Sequence, residues 1–203
     1  MPVLRTLLAS LIVLIVGGTV LAAATDHFQA FTRETAARVE VREHPPSVPA
    51  VMLETGSGAH INLADLRGKW LLVEFIYTRC TTDCPLLSAE FAQLQNQLAK
   101  PLAQGKVQLL SISFDPTHDT PRVLATYLGL FRHGPGWLAA RPVNAVGLKT
   151  LERSFRVTVI PDGHGGYMHS PDVDIVSPQG RLVGIFPLGN PVPVGQAVLL
   201  AMQ

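Results

Sequence analysis

Residues 70–85 read Trp70-Leu-Leu-Val-Glu-Phe-Ile-Tyr77-Thr-Arg-Cys80-Thr-Thr-Asp-Cys84-Pro85. The near-continuous apolar run Trp70–Tyr77 is what a strand buried on both faces looks like. Pro85 suits the opening of a helix, and Leu87, Phe91, Leu94 and Leu98 are spaced to line one side of it. A helix is therefore expected over Pro85–Lys100. Between strand and helix stand the only two cysteines of the chain, four positions apart. Two thiols this close can share one soft metal ion, or can cycle between dithiol and disulfide.

The alternation continues downstream. Val107–Phe114 reads as a second buried strand, Pro121–Phe131 as a helix ended by His133-Gly-Pro-Gly136, and Ala145–Phe155 as a third helix. Val173–Ser177, a turn at Pro178-Gln-Gly180 and Leu182–Phe186 form a hairpin, and Val194–Met202 closes as a helix. Upstream, Val51–Leu53, the turn Gly56-Ser-Gly58 and Ile61 read as a short hairpin. The order β-α-β-α-α-β-β-α predicts an α/β domain with a central mixed sheet flanked by helices, the order of a thioredoxin-like fold. Active groups of such sheets gather beyond the carboxyl ends of the parallel strands. The cysteine loop follows the first of these and Asp115 the second, so both are expected at one edge.

With 203 residues and 47% hydrophobic content, the chain can bury one good core. A formal charge of +1 and the lack of a basic run with interleaved aromatics argue against a nucleic-acid partner. The amino terminus differs in kind. Arg5 precedes eighteen uncharged residues, Leu7–Ala24, enough to cross a bilayer as a helix. Ala22-Ala-Ala24 also offers the small residues of a signal cleavage site. An inner-membrane anchor with the domain on the periplasmic side is the expectation, and cleavage would free the domain in the periplasm. Residues 1–24 are read as anchor or signal, 25–49 as a polar, proline-containing tether, and 50–203 as the folded domain. Export permits disulfide chemistry at the cysteines.

Cys84 precedes a helix-opening proline, so its sulfur is expected near unpaired backbone N–H groups that favour thiolate. Three intervening residues open the loop wider than a Cys-x-x-Cys turn and favour chelation. A purely structural disulfide closing so short a loop would stabilise little. Tetrahedral structural zinc wants four Cys or His ligands, whereas two thiolates and one imidazole suit copper. Of seven histidines, His27 and His44 fall in the tether, His60 before the core and His133 in a remote turn. His118, His164 and His169 remain, and His169, placed just before the late hairpin, is the one expected to face the cysteine loop. Asp119 or Thr120 is expected to cap the helix opened by Pro121. Asp115 could orient a ligand or tune a thiol, and His118 is expected to face solvent.

These residues resemble a known family. Val-Glu-Phe-Ile-Tyr-Thr-Arg-Cys80-Thr-Thr-Asp-Cys84-Pro resembles the cysteine loop of the Sco/SenC copper chaperones. Ser113-Phe-Asp115-Pro-Thr-His-Asp119-Thr-Pro and Tyr167-Met-His169-Ser resemble their second and late motifs. The resemblance spans roughly Ala50–Met202. It implies a thioredoxin-like domain binding Cu(I) or Cu(II) through Cys80, Cys84 and His169, with Asp115 as a supporting carboxylate. It also implies a partner: the copper-site subunit of cytochrome c oxidase, whose binuclear site would receive copper or have its cysteines kept reduced, or another copper carrier. Met168 stands where members often carry aspartate. Its thioether is a soft donor, but packing is its expected role, and the missing carboxylate weakens the expectation of tight Cu(II) binding. Pro171 falls near the cis-proline position of thioredoxin relatives.

The main alternative is a thiol–disulfide oxidoreductase in which one cysteine attacks a partner and the other resolves the mixed disulfide. Cys80 is the expected attacker there, because Cys84 abuts the helix. A peroxidase is disfavoured: such enzymes separate their cysteines more widely and place an arginine beside the attacking sulfur, whereas Arg79, a neighbour of Cys80 in sequence, points the other way along an extended chain.

Overall fold

The computed structural model describes residues 2–25 and 32–203, so His27 lies outside the described residues. The chain divides into two compact units, one ending at Glu43 and the other running His44–Gln203. In the first, α1 (Pro2–Ala24) is long and apolar enough to cross a membrane. Part of the segment expected as a tether is helical, α2 (Arg33–Glu43), with Glu34 in its first turn and Arg42 in its last. Both charges complement the helix dipole.

The second unit begins six residues before the expected boundary. Ser47 bridges to Arg181, the Val48 N–H donates to the Gly180 carbonyl at 2.8 Å, and the Val48 side chain is buried. Prolines in 44–49 suggested a linker, yet they are compatible with an extended edge that needs few donors.

A seven-stranded sheet forms the centre, in the order β2-β1-β5-β4-β3-β8-β9. Its strands are β1 (Met52–Thr55), β2 (His60–Asn62), β3 (Trp70–Ile76), β4 (Val107–Ser113), β5 (Trp137–Pro142), β8 (Asp172–Val176) and β9 (Leu182–Pro187). β3 pairs parallel with β4, and β4 parallel with β5; β1 joins β5 and β8 joins β3 antiparallel. The mixed sheet and its flanking helices are those expected. The helices are α3 (Asp83–Gln97), α4 (Ala99–Ala103), α5 (Pro121–Gly129), α6 (Ala145–Ser154) and α7 (Pro191–Ala201). Leu87, Phe91, Leu94 and Leu98 are all fully buried. The single helix expected over 85–100 breaks at Leu98. Pro101 lacks an N–H and would clash with the carbonyl of Gln97, four residues back.

Two elements escape the sequence reading. β5 is written Trp-Leu-Ala-Ala-Arg-Pro, with neither alternation nor β-branched residues. It is held instead by its neighbours and by Arg141, which ion-pairs with Glu54 across β1 at 2.7 Å. The second is a separate two-stranded ribbon, β6 (Val159–Pro161) with β7 (Tyr167–His169). Its glycine-rich connection is an ordered turn. Asp162 Oδ1 accepts the His164 and Gly166 N–H groups at 2.7 and 2.9 Å, while Gly163 and Gly165 take positive φ.

Candidate metal centre

The carboxyl ends of β3 and β4 lie side by side, Ile76 opposite Ser113. The cysteine loop leaves the first and the Asp115–Asp119 turn leaves the second. Helix α3 starts at Asp83, not at Pro85, so Cys84 sits inside its first turn. The N–H of Cys84, one of the unpaired donors of a helix start, is aimed at the Cys80 sulfur at 3.4 Å. Thr82 Oγ1 lies 3.6 Å from the same sulfur.

The expectation that the helix start favours the Cys84 thiolate is therefore reversed. Burial acts to raise the Cys80 thiol, but the Cys84 and Thr82 hydrogen bonds outweigh it and hold Cys80 below the usual thiol range. At Cys84, with no exposed surface, burial pushes the thiol far above that range; the Cys80 sulfur adds to the rise, and a backbone hydrogen bond at Tyr77 offsets only part of it. Both cysteines are free and buried.

His169 ends β7 rather than lying in a loop. Its Nε2 is 3.3 Å from Cys84 Sγ, and its Nδ1 is 3.2 Å from the Ser170 carbonyl oxygen. That oxygen can only accept, so Nδ1 carries the proton and the Nε2 lone pair faces the sulfur. Burial holds the imidazole below its ordinary value of 6.5, a drop that the Ser170 bond and nearby carboxylates only moderate. The neutral ring is the ligating form. A lowered folded-state value has a signed consequence for stability. Below pH 6.5 the unfolded chain takes up a proton here that the folded chain resists. Stability is thus expected to fall as pH drops through that value, and thermal melts of His169→Phe should show a flatter acid limb.

The three donor atoms of Cys80, Cys84 and His169 all lie within 4.8 Å of one another. Metal–sulfur bonds of roughly 2.3 Å span at most about 4.6 Å across one ion, so a single ion can reach all three with small adjustments. Two sulfurs, one imidazole and no carboxylate in the cluster form a soft donor set that fits copper.

The other sequence candidates fall differently. Asp115 bonds Arg79 Nη2 at 2.8 Å and His118 Nδ1 at 2.9 Å. Burial would raise this carboxyl, but His118 and Arg79 together hold it below the usual range. Any support it lends the cysteines passes through Arg79. The His118 ring is largely exposed despite that pairing. Met168 is 62% exposed, on the ribbon face opposite His169, so it neither packs nor joins the cluster. No peptide bond among the described residues is cis, so Ser170–Pro171 is trans.

Asp119, one of the two caps the sequence offered for α5, has a different role. Thr120 caps α5, accepting the Val123 N–H. Asp119, fully buried, instead accepts the Thr78 N–H at 3.1 Å, the Thr78 hydroxyl at 2.6 Å and the Ser113 hydroxyl at 2.5 Å. It ties the root of the cysteine loop to the end of β4. An aromatic wall behind His169 was also missed: Phe114 at 5.1 Å and Tyr77 at 6.2 Å, with Tyr167 against both. The Tyr77 hydroxyl lies 3.4 Å from both the N–H and the carbonyl of Tyr167, pinning the ribbon to the cysteine strand. One aromatic at the end of each core strand and one two residues before His169 were the available signals.

Fold and site together define a thioredoxin-like domain with a cluster of two buried sulfurs and one half-buried imidazole at the carboxyl edge of its sheet. The family model for SCO1/SenC proteins matches residues 41–199, and the chain belongs to that family. A protein of Stutzerimonas stutzeri, provisionally named copper-binding, is 29% identical over 188 residues, covering 91% of this chain and 89% of its own. Among solved structures, Arabidopsis thaliana ScoI with copper bound is similar with a TM-score of 0.67 and 21% identity, over 76% of this chain and 97% of its own. BsSco, described by a disulfide switch and as a member of a family of cytochrome c oxidase assembly proteins, is similar with a TM-score of 0.68 and 22% identity, over 78% of this chain and 94% of its own.

Proposed function

We propose that this chain is a membrane-tethered copper carrier, holding one copper ion through Cys80, Cys84 and His169 and serving the binuclear copper site of cytochrome c oxidase. The observation that carries the reading is the approach of His169 Nε2 to Cys84 Sγ, 3.3 Å across 85 residues of sequence, inside a cluster of two buried sulfurs and one half-buried imidazole. Family membership and the copper-binding and oxidase-assembly roles named for relatives support it. In this reading α1 anchors the chain, residues 25–43 connect, and the domain faces the periplasm.

Copper, as cargo, supplies a soft cation that stabilises thiolate. The protein supplies the rest. Ser170 fixes the imidazole tautomer, Cys84 gives up its thiol proton only when a cation replaces it, and Cys80 offers a sulfur already inclined to ionise. Asp115, through its pairing with Arg79, supports the loop that carries Cys80. Burial of both cysteines, with His169 half-buried beside them, limits the access of competing water. Copper titration of the reduced full chain in detergent should reach one ion per chain, with sulfur-to-copper charge-transfer absorption. His169→Ala is expected to weaken binding about a hundredfold; unchanged affinity would remove His169 from the site.

A second reading, thiol–disulfide exchange with partner cysteines, is favoured by the opposite displacement of the two thiols. Cys80 is the more ionised and exposed member, suited to attack, and Cys84 is held as a protonated reserve. Exchange activity surviving His169→Ala but lost in either cysteine variant would assign this role.

A further inference from the structure

The charges of the domain are sorted by end. At the amino edge of the sheet, opposite the metal centre, six cations stand in the connections. Arg67 and Lys69 lead into β3, Lys106 leads into β4, Lys100 lies in α4, Arg132 follows α5, and Arg181 sits between β8 and β9. Backbone hydrogen bonds hold these connections together. The Trp70 N–H donates to the Lys106 carbonyl at 2.9 Å, the Lys106 N–H to the Pro101 carbonyl at 3.0 Å and the Gly68 N–H to the Pro178 carbonyl at 2.8 Å. Lys69 is half-buried and the other five are exposed. None of the six is ion-paired among the described residues. The acids toward this end are Asp65, two residues before Arg67, and Glu152, which is paired with Lys149. The opposite end is acidic, with Asp83, Asp115, Asp119 and Asp172 at or beyond the carboxyl end of β3 and β4. The cations there are Arg79 and Arg141, paired with Asp115 and Glu54, and Arg122 in the first turn of α5. Helix dipoles account for Lys100 and Arg132, which stand at helix ends, but not for the four in strand connections.

Two further features share the cationic end. The chain enters the domain there: the Val48 N–H donates to the Gly180 carbonyl at 2.8 Å, and the Leu182 N–H to the Pro46 carbonyl at 2.9 Å. Exposed apolar side chains also meet there. Helix α7 carries no charged residue. It runs the same way as α3, since the Gly189 N–H reaches Glu90 Oε1 at 2.7 Å and Gly195 lies against Gln97. Its last turn therefore ends at the amino edge, with Leu199 40% and Leu200 67% exposed. Leu130, 73% exposed, stands two residues before Arg132. A surface helix ordinarily turns charges outward. Cations interleaved with exposed leucines suit an anionic lipid surface instead.

We propose that the amino edge is a lipid-docking face, seated on anionic phospholipid with its six cations at the headgroup phosphates and Leu130, Leu199 and Leu200 at the acyl boundary. The metal centre then points away from the bilayer, roughly 20 Å beyond the headgroups by the length of β3, on the side open to a partner domain. Charge selects both occupant and orientation, because the same anionic surface repels the acidic end. The inference deepens the membrane-tethered reading and rests on α1 holding the domain beside a bilayer.

The full chain is reconstituted into vesicles of phosphatidylcholine, alone or mixed with phosphatidylglycerol, each carrying a dansyl headgroup probe. Docking is read as energy transfer from Trp70 and Trp137, which open β3 and β5 at the amino edge. Transfer is expected to rise with phosphatidylglycerol and to return to the phosphatidylcholine level in about 1 M salt, where the screening length falls to about 3 Å. Each cation near an anionic surface is worth about fivefold in such an equilibrium, so reversing three, as Lys69→Glu, Lys100→Glu and Lys106→Glu together, should weaken docking more than about a hundredfold. Copper stoichiometry and melting temperature should stay those of the wild type. Leu200→Gln should weaken docking about tenfold by removing one buried apolar side chain. Transfer that ignores lipid charge and salt, or that survives the triple variant, would overturn the proposal; an acidic protein as the true occupant would give that result. Flotation with phosphatidylcholine vesicles in high salt tests the anchor separately. A chain that fails to float there, yet floats with phosphatidylglycerol in low salt, loses the tether and keeps the docking face.

Discussion

Cys84→Ser is expected to cut copper affinity of the reduced full chain by more than about a hundredfold, beyond the usual cost of losing a group that merely orients a ligand. Cys84 is the member of the cluster that touches His169, and it has no exposed surface. A serine hydroxyl at this position is a harder donor that does not ionise in the accessible range, so one of two soft anionic ligands is lost. The swap is nearly isosteric and leaves a hydroxyl beside Nε2 as a partner. The melting temperature should therefore move by only a few degrees, roughly what 1 kcal/mol does to a domain of this size. Competition titration against a Cu(I) chelator, paired with a thermal melt, separates the two effects. Affinity equal to wild type with a normal melt would eliminate the proposed centre.

Asp119→Ala is expected to have the largest effect on stability. The side chain is buried and accepts from three donors, Thr78 N–H, Thr78 Oγ1 and Ser113 Oγ. Each buried donor left unpaired costs about 1–3 kcal/mol. The two hydroxyls can turn toward other acceptors, so the total should be about 3–5 kcal/mol, or about 10 °C in melting temperature. Copper affinity should fall about tenfold with it, because the root of the cysteine loop is no longer tied to β4. Thr120→Ala, which removes the actual cap of α5, should cost only about 1 kcal/mol. Asp119→Asn separates the two roles. Asparagine is a competent cap, but its NH2 group would meet donors here, so it too should destabilise. A near-neutral asparagine variant would sink this account.

Much of the chain is legible because local rules and tertiary context agree. The run Trp70–Tyr77 reads as buried, and it supplies the interior strand β3 between β4 and β8. Leu87, Phe91, Leu94 and Leu98 repeat at helical spacing, and all are enclosed. Where the reading failed, the deciding force acted across space. β5 has weak intrinsic preference and exists because β1 and β4 flank it. The ribbon β6–β7 exists because an aspartate organises two glycines into a turn, which composition alone presents as a loop. Asp119 obeys the sequence rule for a cap, but Thr120 takes that role and frees the carboxylate for the cysteine loop.

The sequence by itself determined the kind of chemistry: two sulfurs four apart after a buried strand, a histidine before the late hairpin, and the family that such motifs define. Only the tertiary structure decided how that chemistry is distributed. It put the helix-start hydrogen bond on Cys80 rather than Cys84, buried Cys84 against a neutral His169, and turned Met168 away. The physical reason is range. Periodicity and capping act over one or two turns of chain, whereas the charge on a thiol or carboxyl depends on burial and on donors brought from distant segments.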